Sequence, residues 1–499
     1  MKQLLHLLHI LRVLARHDAL FFAERLKLPL PARAALFLLP RRKRKGREGE
    51  RLAAAFTELG PFFIKFGQAL SVRSDVVGED IAEDLSRLQD RLPSFPATEA
   101  KATIARELGQ PVDALFAEFE EVPVAAASIS QVHFAIDKQG NKLAVKVLRP
   151  GIEARFARDV ALLRFLARRA DKRRPEWRRL KLRQVVDNFA QTVSVEMDLR
   201  MEAAAACEFC DNMAQGGYML VPAVHWNLTA RRVLTLERIH GISIDDVAVL
   251  KGAGHDADAV LRKASAAFFQ QVFRDGFFHA DLHPGNLFVG EDGGLIAVDF
   301  GIMARVDRRT RIFLAEMLKA FLDRDYTRVA EVHFEAGYIP ADQDVLLFAQ
   351  ACRAIGEPLF GKAQKDISLA HLLAQLFKVS EDFQMETQPQ LLLLQKTMML
   401  AEGVGRRLNP EVNFWELSRP LIEEWMRANL GMRGQAKDAL AEMREAMGKL
   451  RHLHECITPE GLRLHPDTVR ALKAEPPSGK GWNWPFCGAM LLAVVILSS

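Results

Sequence analysis

The sequence predicts an α+β fold, with a β-rich block set between two long helical regions. From Phe116 to Leu148 apolar and polar residues alternate, and Lys138-Gln-Gly-Asn141 supplies a hairpin turn, the pattern of paired strands. A second short β segment, Leu295 to Val298, follows a Gly293-Gly294 turn. On either side the apolar spacing is helical, from Glu50 onwards and from within about ten residues of Gly301 to about Ala474. A chain of 499 residues has room for one large bilobal domain or two to three smaller ones.

The stretch His279 to Gly301, HADLHPGNLFVGEDGGLIAVDFG, organises the rest. Its first half has the spacing of a kinase catalytic loop, HxDxxxxN, and its second half is an apolar strand running into Asp299-Phe300-Gly301. Phosphoryl transfer needs a carboxylate to orient or deprotonate the acceptor, and oxygen ligands that hold Mg²⁺ on the phosphates. Asp281 suits the first role; Asn286 and Asp299 suit the second, because hard Mg²⁺ takes oxygen donors.

Within Leu143-Ala-Val-Lys146-Val-Leu148 alternate side chains take opposite faces, so Lys146 projects away from Val145 and Val147. A lysine in so apolar a strand is costly unless its ammonium has a partner. Nucleotide phosphates and a helix carboxylate would supply one, and Glu202, in the helical stretch Leu180 to Asp211, is the natural candidate. The segment Val124, Ala125, Ala126, Ala127, Ser128, Ile129, Ser130, Gln131 and Val132 centres on a small-residue turn whose backbone N–H groups can approach phosphates. Phe119 to Val124 is expected as a strand leading into it. Glu196 lies six residues before Glu202, nearly opposite it on a continuous helix, so it should meet another cation, for which Lys65 is available. Leu234 to Gly241 is expected as a strand at the junction of the lobes, and Ala259 to Asp275 as the amphipathic helix feeding the catalytic loop.

Net charge is only +5, but Arg41 to Arg47 and Arg168 to Arg183 are basic runs that suit anionic lipid head groups or nucleic acid, or equally a solvated face. The five cysteines show no disulfide framework; Cys207 with Cys210, and His452, His454 with Cys456, are taken as structural because nothing completes a metal set. The first sixteen residues form a basic amphipathic helix that either lies on a membrane or packs on the body. Near the end, Trp482 to Leu497 carries no charge and follows a Pro476-Pro-Ser-Gly linker. As a helix it would be roughly 24 Å long, short of a bilayer core of roughly 30 Å. A tail anchor, a half-inserted helix and a spanning segment that continues elsewhere all fit it.

With these motifs in hand, the chain resembles the UbiB family of atypical kinase-like proteins, which is associated with ubiquinone biosynthesis. Lys65, Gly67 and Gln68 match the family's KxGQ motif, Glu196 and Asp198 its ExD motif, and Ala125 to Ser128 the alanine-rich loop that replaces a glycine-rich one. Lys146, Glu202, Asp281, Asn286 and Asp299 match the nucleotide-binding lysine, its helix partner, the catalytic carboxylate and the metal ligands. The resemblance implies an atypical bilobal protein-kinase-like fold with an N-terminal helical KxGQ extension over the active site, a helical C-lobe and a C-terminal hydrophobic helix. The expected divisions are 1–49, a basic amphipathic region; 50–115, the KxGQ extension; 116–235, the N-lobe; 236–475, the C-lobe; and 476–499, linker and anchor.

Two departures from ordinary protein kinases bear on function. The loop reads His279-Ala280-Asp281 rather than His-Arg-Asp, which removes the arginine that pairs with a phosphorylated activation loop. No Ala-Pro-Glu follows Gly301, so the platform for a peptide substrate is missing. The expected function is an ATP- and Mg²⁺-dependent phosphotransferase or ATPase acting on or for a membrane lipid or polyprenyl quinone precursor. Its expected place is the bacterial inner membrane, with the body facing the cytoplasm. The competing expectation is a non-catalytic, nucleotide-gated scaffold for other quinone-biosynthesis enzymes. Partners in either case exclude nucleic acid and admit a homodimer.

Overall fold

The computed structural model describes residues 2–21, 46–71, 77–86, 88, 92–173, 182–214, 216–359, 375, 379, 382–385, 389–411, 414–430, 457–458 and 461–462. They fall into two units, Met1–Trp425 and Met426–Ser499. In the second, Ile457 pairs with Leu462 and Thr458 with Gly461 in a short antiparallel ladder. The expected hydrophobic helix at 482–497, His452, His454 and Cys456, and residues 41–45 and 174–181 of the two basic runs lie outside the described residues. No helix among the described residues is long and apolar enough to cross a membrane.

Strands β1 (Phe116–Phe119), β2 (Ala125–Ala126), β3 (Ser130–Asp137) and β4 (Lys142–Leu148) precede a two-residue β5 (Met219–Leu220) and then β6 (Val233–Glu237). The order β1-β3-β4-β6 makes an antiparallel sheet, with β2 added to β3. The strand expected across Phe119 to Val124 stops at Phe119. Pro123 has no N–H to donate to a ladder, and Val122 and Val124 are exposed. One face of the sheet presents Leu143, Val145 and Val147 to Ala100 and Ile104 of the helix Ala97–Leu108. That helix stops at Gly109, whose φ of 72° is the left-handed turn that glycine adopts without steric cost. The opposite face, with Lys146, is left for the cleft.

The stretch Leu180 to Asp211 is not one helix but two, Leu182–Glu196 and Leu199–Ala214. Asp198 sits at the break, where its carboxylate accepts from the backbone N–H of Arg200 at 3.2 Å. This local bond competes with a continuing helical ladder. Glu196 and Glu202 therefore belong to different helices, and the azimuth argument between them does not apply.

The N-terminal helix Lys2–Arg16 packs on the body: Ile10 and Val13 share a core with Phe56, Phe62, Phe63 and Leu85 of the KxGQ region and with Phe156 and Phe189 of the helices Ile152–Arg173 and Leu182–Glu196. Phe62 meets both Phe156 and Phe189 edge to face. The amphipathic extension thus buries its apolar stripe in protein.

The second lobe carries a small sheet of β7 (Ile242–Ser243), β9 (Leu287–Val289), β10 (Leu295–Ala297) and β5, and a separate pair, β8 (Phe277–His279) with β11 (Met303–Arg305). Helices Arg308–Leu322, Tyr326–Glu335 and Val345–Gly356 follow. Each starts on an aspartate, Asp307, Asp325 or Asp344, whose side chain accepts from the first-turn N–H groups. Such caps contribute about 1 kcal/mol apiece. The helix Pro389–Leu408 lies against Ala257–Phe269 and β11.

Candidate active site

The hairpin β9–β10 sets the geometry of the motif stretch. Its turn holds Gly293 at φ 71° and is closed by Asp292 accepting from the Gly294 N–H at 2.8 Å. Leu287 pairs with Ala297, and the Val298 N–H reaches the Asn286 carbonyl at 3.0 Å. The residue before β9 and the residues after β10 are therefore neighbours, which brings Asn286 and Asp299 to the same end of the hairpin. Asp299 has φ 63°, a left-handed backbone that a non-glycine residue adopts only where the surroundings enforce it. Phe300 provides that enforcement. It is 1% exposed and wedged between Phe209 of the Glu202 helix and His279, with ring centroids at 5.5 and 5.6 Å.

His279 is fully buried, and its imidazole spans the two halves of the motif. Nδ1 accepts from the Asp281 N–H at 3.1 Å and Nε2 donates to the Val298 carbonyl at 3.2 Å, which assigns the neutral Nε2–H tautomer. Burial lowers its pKa and keeps it neutral. Asn286 donates its amide to the Asp281 carbonyl at 3.0 Å, which turns its side-chain oxygen toward other ligands.

Lys146 is clamped between lobes. Its ammonium lies 2.7 and 3.0 Å from the two Glu202 oxygens and 2.9 Å from Asp299 Oδ1. Two carboxylates hold the lysine firmly protonated. The Lys146 ammonium, with a further contribution from Lys65, holds the Asp299 carboxyl well below the usual carboxylate range. Glu202 is pushed up to about 7, first by burial and also by the charge of Asp299. Lys65 lies 3.2 Å from Glu196 Oε2, both about a tenth exposed. Asp198 instead forms a bidentate pair with Arg200, at 2.9 and 2.6 Å. Gln68 donates to the Leu88 carbonyl at 3.3 Å, and Gly67 packs so closely that a Cβ there would fall 2.4 Å from Leu88 and 2.8 Å from Phe56.

The alanine-rich segment is part strand and part turn. Ala125 and Ala126 pair with Val132 and Gln131, and the Ala127 N–H closes the turn on the Ser130 carbonyl at 2.8 Å. Val132 stands opposite Lys146 and Phe134 opposite Ala144, so Val132 and Ala144 share the cleft face with the lysine. Gln131 points the other way, bonded to both backbone groups of Phe95 at 2.9 and 3.1 Å. Ile129 belongs to the core, and the buried Ser128 hydroxyl has no hydrogen-bond partner among the described residues.

Three positioning residues escaped the sequence reading. Arg149 grips the Ala127 carbonyl with two N–H groups at 3.1 and 2.7 Å and so fixes the turn. Its place just past β4 gave no distinctive signal. Gln271 accepts from the His279 N–H at 3.1 Å. Lys396 lies 2.9 Å from Asp281 Oδ1. A single lysine in the largely apolar run Leu391 to Leu400 marks the residue in the sequence but not its partner.

No cluster of three or more His, Cys, Asp or Glu side chains suited to a metal occurs among the described residues. Cys207, Cys210 and Cys352 are free thiols, and burial pushes that of Cys352 up to about 12. Asn286 and Asp299 do fit Mg²⁺, being an ionised carboxylate and an amide oxygen at one hairpin end, adjacent to a lysine suited to phosphates.

Comparison with known proteins agrees with this geometry. Residues 87–333 match the ABC1 atypical kinase-like domain and residues 352–413 the UbiB helical domain. A protein of Marinobacter nauticus named "Probable protein kinase UbiB" is 42% identical over 88% of this chain and 81% of its own. Its namesake from Azotobacter vinelandii is 40% identical over 98% of this chain and 97% of its own, and that from Pseudomonas aeruginosa 40% identical over 92% and 86%. Among solved structures, the Mycobacterium tuberculosis complex of Rv3197 with erythromycin superposes at a TM-score of 0.52 with 25% identity, covering 73% of this chain and 93% of that one. The chain belongs to the UbiB family of atypical kinase-like proteins, a membership that supports a role in ubiquinone biosynthesis and a kinase-type activity.

Proposed function

We propose that the chain is a membrane-associated, Mg-ATP-dependent phosphotransferase or ATPase that acts on or for a lipid precursor of ubiquinone and not on other proteins. The Lys146 clamp carries this reading: its ammonium sits between Glu202 of the first lobe and Asp299 of the second, at 2.7 and 2.9 Å. A strand lysine so placed would hold nucleotide phosphates between the lobes. Val132 and Ala144 would line the floor beside it, and the Ala125 to Ser128 turn, fixed by Arg149, would cover the phosphates. Asp281 would orient the acceptor and take its proton. Mg²⁺ held by Asn286 and Asp299 would neutralise charge on the phosphates. The KxGQ helix, tied by Lys65 to Glu196 of a first-lobe helix, would occupy the place a peptide substrate needs.

The test is ATP turnover by the full chain with and without anionic liposomes, beside Asp299→Asn. Turnover stimulated by liposomes and lost in the variant is expected. Nucleotide binding with no turnover under either condition would assign the chain to scaffolding instead. Membrane attachment is proposed to come from Trp482 to Leu497. A chain truncated after Glu475 should move from the membrane to the soluble fraction at high salt; retention on the membrane would place the anchor elsewhere.

A further inference from the structure

Between Asp281 and Asn286 the catalytic-type loop contains no lysine or arginine. The cation at Asp281 comes from more than a hundred residues downstream: Lys396 Nζ lies 2.9 Å from Asp281 Oδ1. Lys396 belongs to the helix Pro389–Leu408, within the segment that matches the UbiB helical domain.

That helix is fastened on both sides of the lysine. Leu394, Val404 and Leu408 are buried, and Thr397, fully buried, donates its hydroxyl to the Leu393 carbonyl at 2.8 Å. Beyond its end, Asn409 donates to Asp258 Oδ1 at 2.6 Å. A helix tied in this way is a fixed wall of the cleft, not a lid. The pair at its surface is accessible, with the Lys396 and Asp281 side chains 37% and 33% exposed. Two further lysines described at the cleft are paired as well, Lys146 with Glu202 and Asp299 and Lys65 with Glu196, so Lys396 adds a cation on the Asp281 side.

We propose that Lys396 is a phosphate-binding residue of this site, supplied by the helical domain, whose ammonium bridges Asp281 and the terminal phosphate of a bound nucleoside triphosphate. This rests on the nucleotide reading above. In the transfer, the bond from the γ-phosphorus to the β,γ-bridging oxygen breaks and a bond to the acceptor oxygen forms. The acceptor's proton passes to Asp281, and the diphosphate leaves. Charge spreads over the equatorial oxygens meanwhile, and a cation already in place stabilises it without reorganisation. The helical domain is then part of the catalytic centre rather than an appendage.

The experiment compares full-length wild type, Lys396→Met and Lys396→Arg for binding of Mg-ADP and of a non-hydrolysable Mg-ATP analogue, and for ATP turnover. Lys396→Met should weaken the triphosphate analogue about tenfold while leaving ADP unchanged. Turnover should fall about a hundredfold, and Lys396→Arg should recover part of both. Equal effects on the two nucleotides, or none, would overturn the proposal. So would faster turnover in Lys396→Met, which would make the lysine an inhibitory latch. A wild type that binds neither nucleotide would remove the nucleotide reading itself and this assignment with it.

Discussion

Lys65 and Glu196 form an ion pair at 3.2 Å between the KxGQ helix and the end of a first-lobe helix, with each side chain about a tenth exposed. Losing one partner of so buried a pair leaves the other charge uncompensated, at a cost of about 3 kcal/mol. Lys65→Met should lower the urea midpoint accordingly, and Lys65→Met with Glu196→Gln should restore much of it. If the double variant were as unstable as the sum of the singles, the two groups would not be coupled.

Gly67 faces a second constraint on the same helix. A methyl there would fall 2.4 Å from Leu88 Cδ1 and 2.8 Å from Phe56. Overpacking of this kind costs about 1–3 kcal/mol. Gly67→Ala should therefore destabilise the chain, and Leu88→Ala in that background should relieve part of the loss. A Gly67→Ala protein as stable as wild type would mean that the helix can shift without penalty.

The motifs that carry the chemistry were legible in the sequence because the chemistry restricts residue type and spacing together. HxDxxxxN and a strand ending in Asp-Phe-Gly can be read from one line, and β3 and β4 alternate because one of their faces is core. What stayed hidden depends on tertiary neighbours. Asp198 breaks a helix that periodicity alone continues, through a two-residue capping bond. Gln131 lies in the nucleotide-loop segment by sequence, but strand alternation gives its side chain to Phe95. Lys396 meets Asp281 across 115 residues, a contact no local pattern encodes.

The acid–base balance of the clamp makes a prediction with a definite sign. Glu202, pushed up to about 7 from an ordinary 4.5, binds its proton more tightly folded than unfolded. Its contribution to stability is fully present below about 4.5 and is lost as pH rises through about 7. Asp299 behaves oppositely: its folded value is depressed, so its contribution is present above the ordinary carboxylate range and lost as pH falls through that folded value. Between pH 5 and 8 the Glu202 effect is the one that changes. The stability of Glu202→Gln relative to wild type should rise across this window, measured as the difference in urea midpoints. Parallel midpoints at both pH values would refute the buried, proton-binding carboxyl.

The two aspartates of the motif should separate binding from turnover. Asp299 is the ionised oxygen donor beside Lys146, held at φ 63° by the buried Phe300. Asp281 lies against Lys396, makes no bond to Lys146 among the described residues, and is proposed to face the acceptor. Asp299→Asn should abolish Mg²⁺-dependent nucleotide binding, because a neutral amide is a poor ligand for a hard dication. Asp281→Asn should keep binding within about twofold, since its carboxylate serves the acceptor, and should lose about a hundredfold or more in turnover as a positioned base is removed. Titrating a fluorescent nucleotide with and without Mg²⁺, alongside single-turnover hydrolysis, measures both quantities in each variant. Equal losses of binding in the two would mean that both aspartates hold the metal, and the proton acceptor would then have to be sought elsewhere in the cleft.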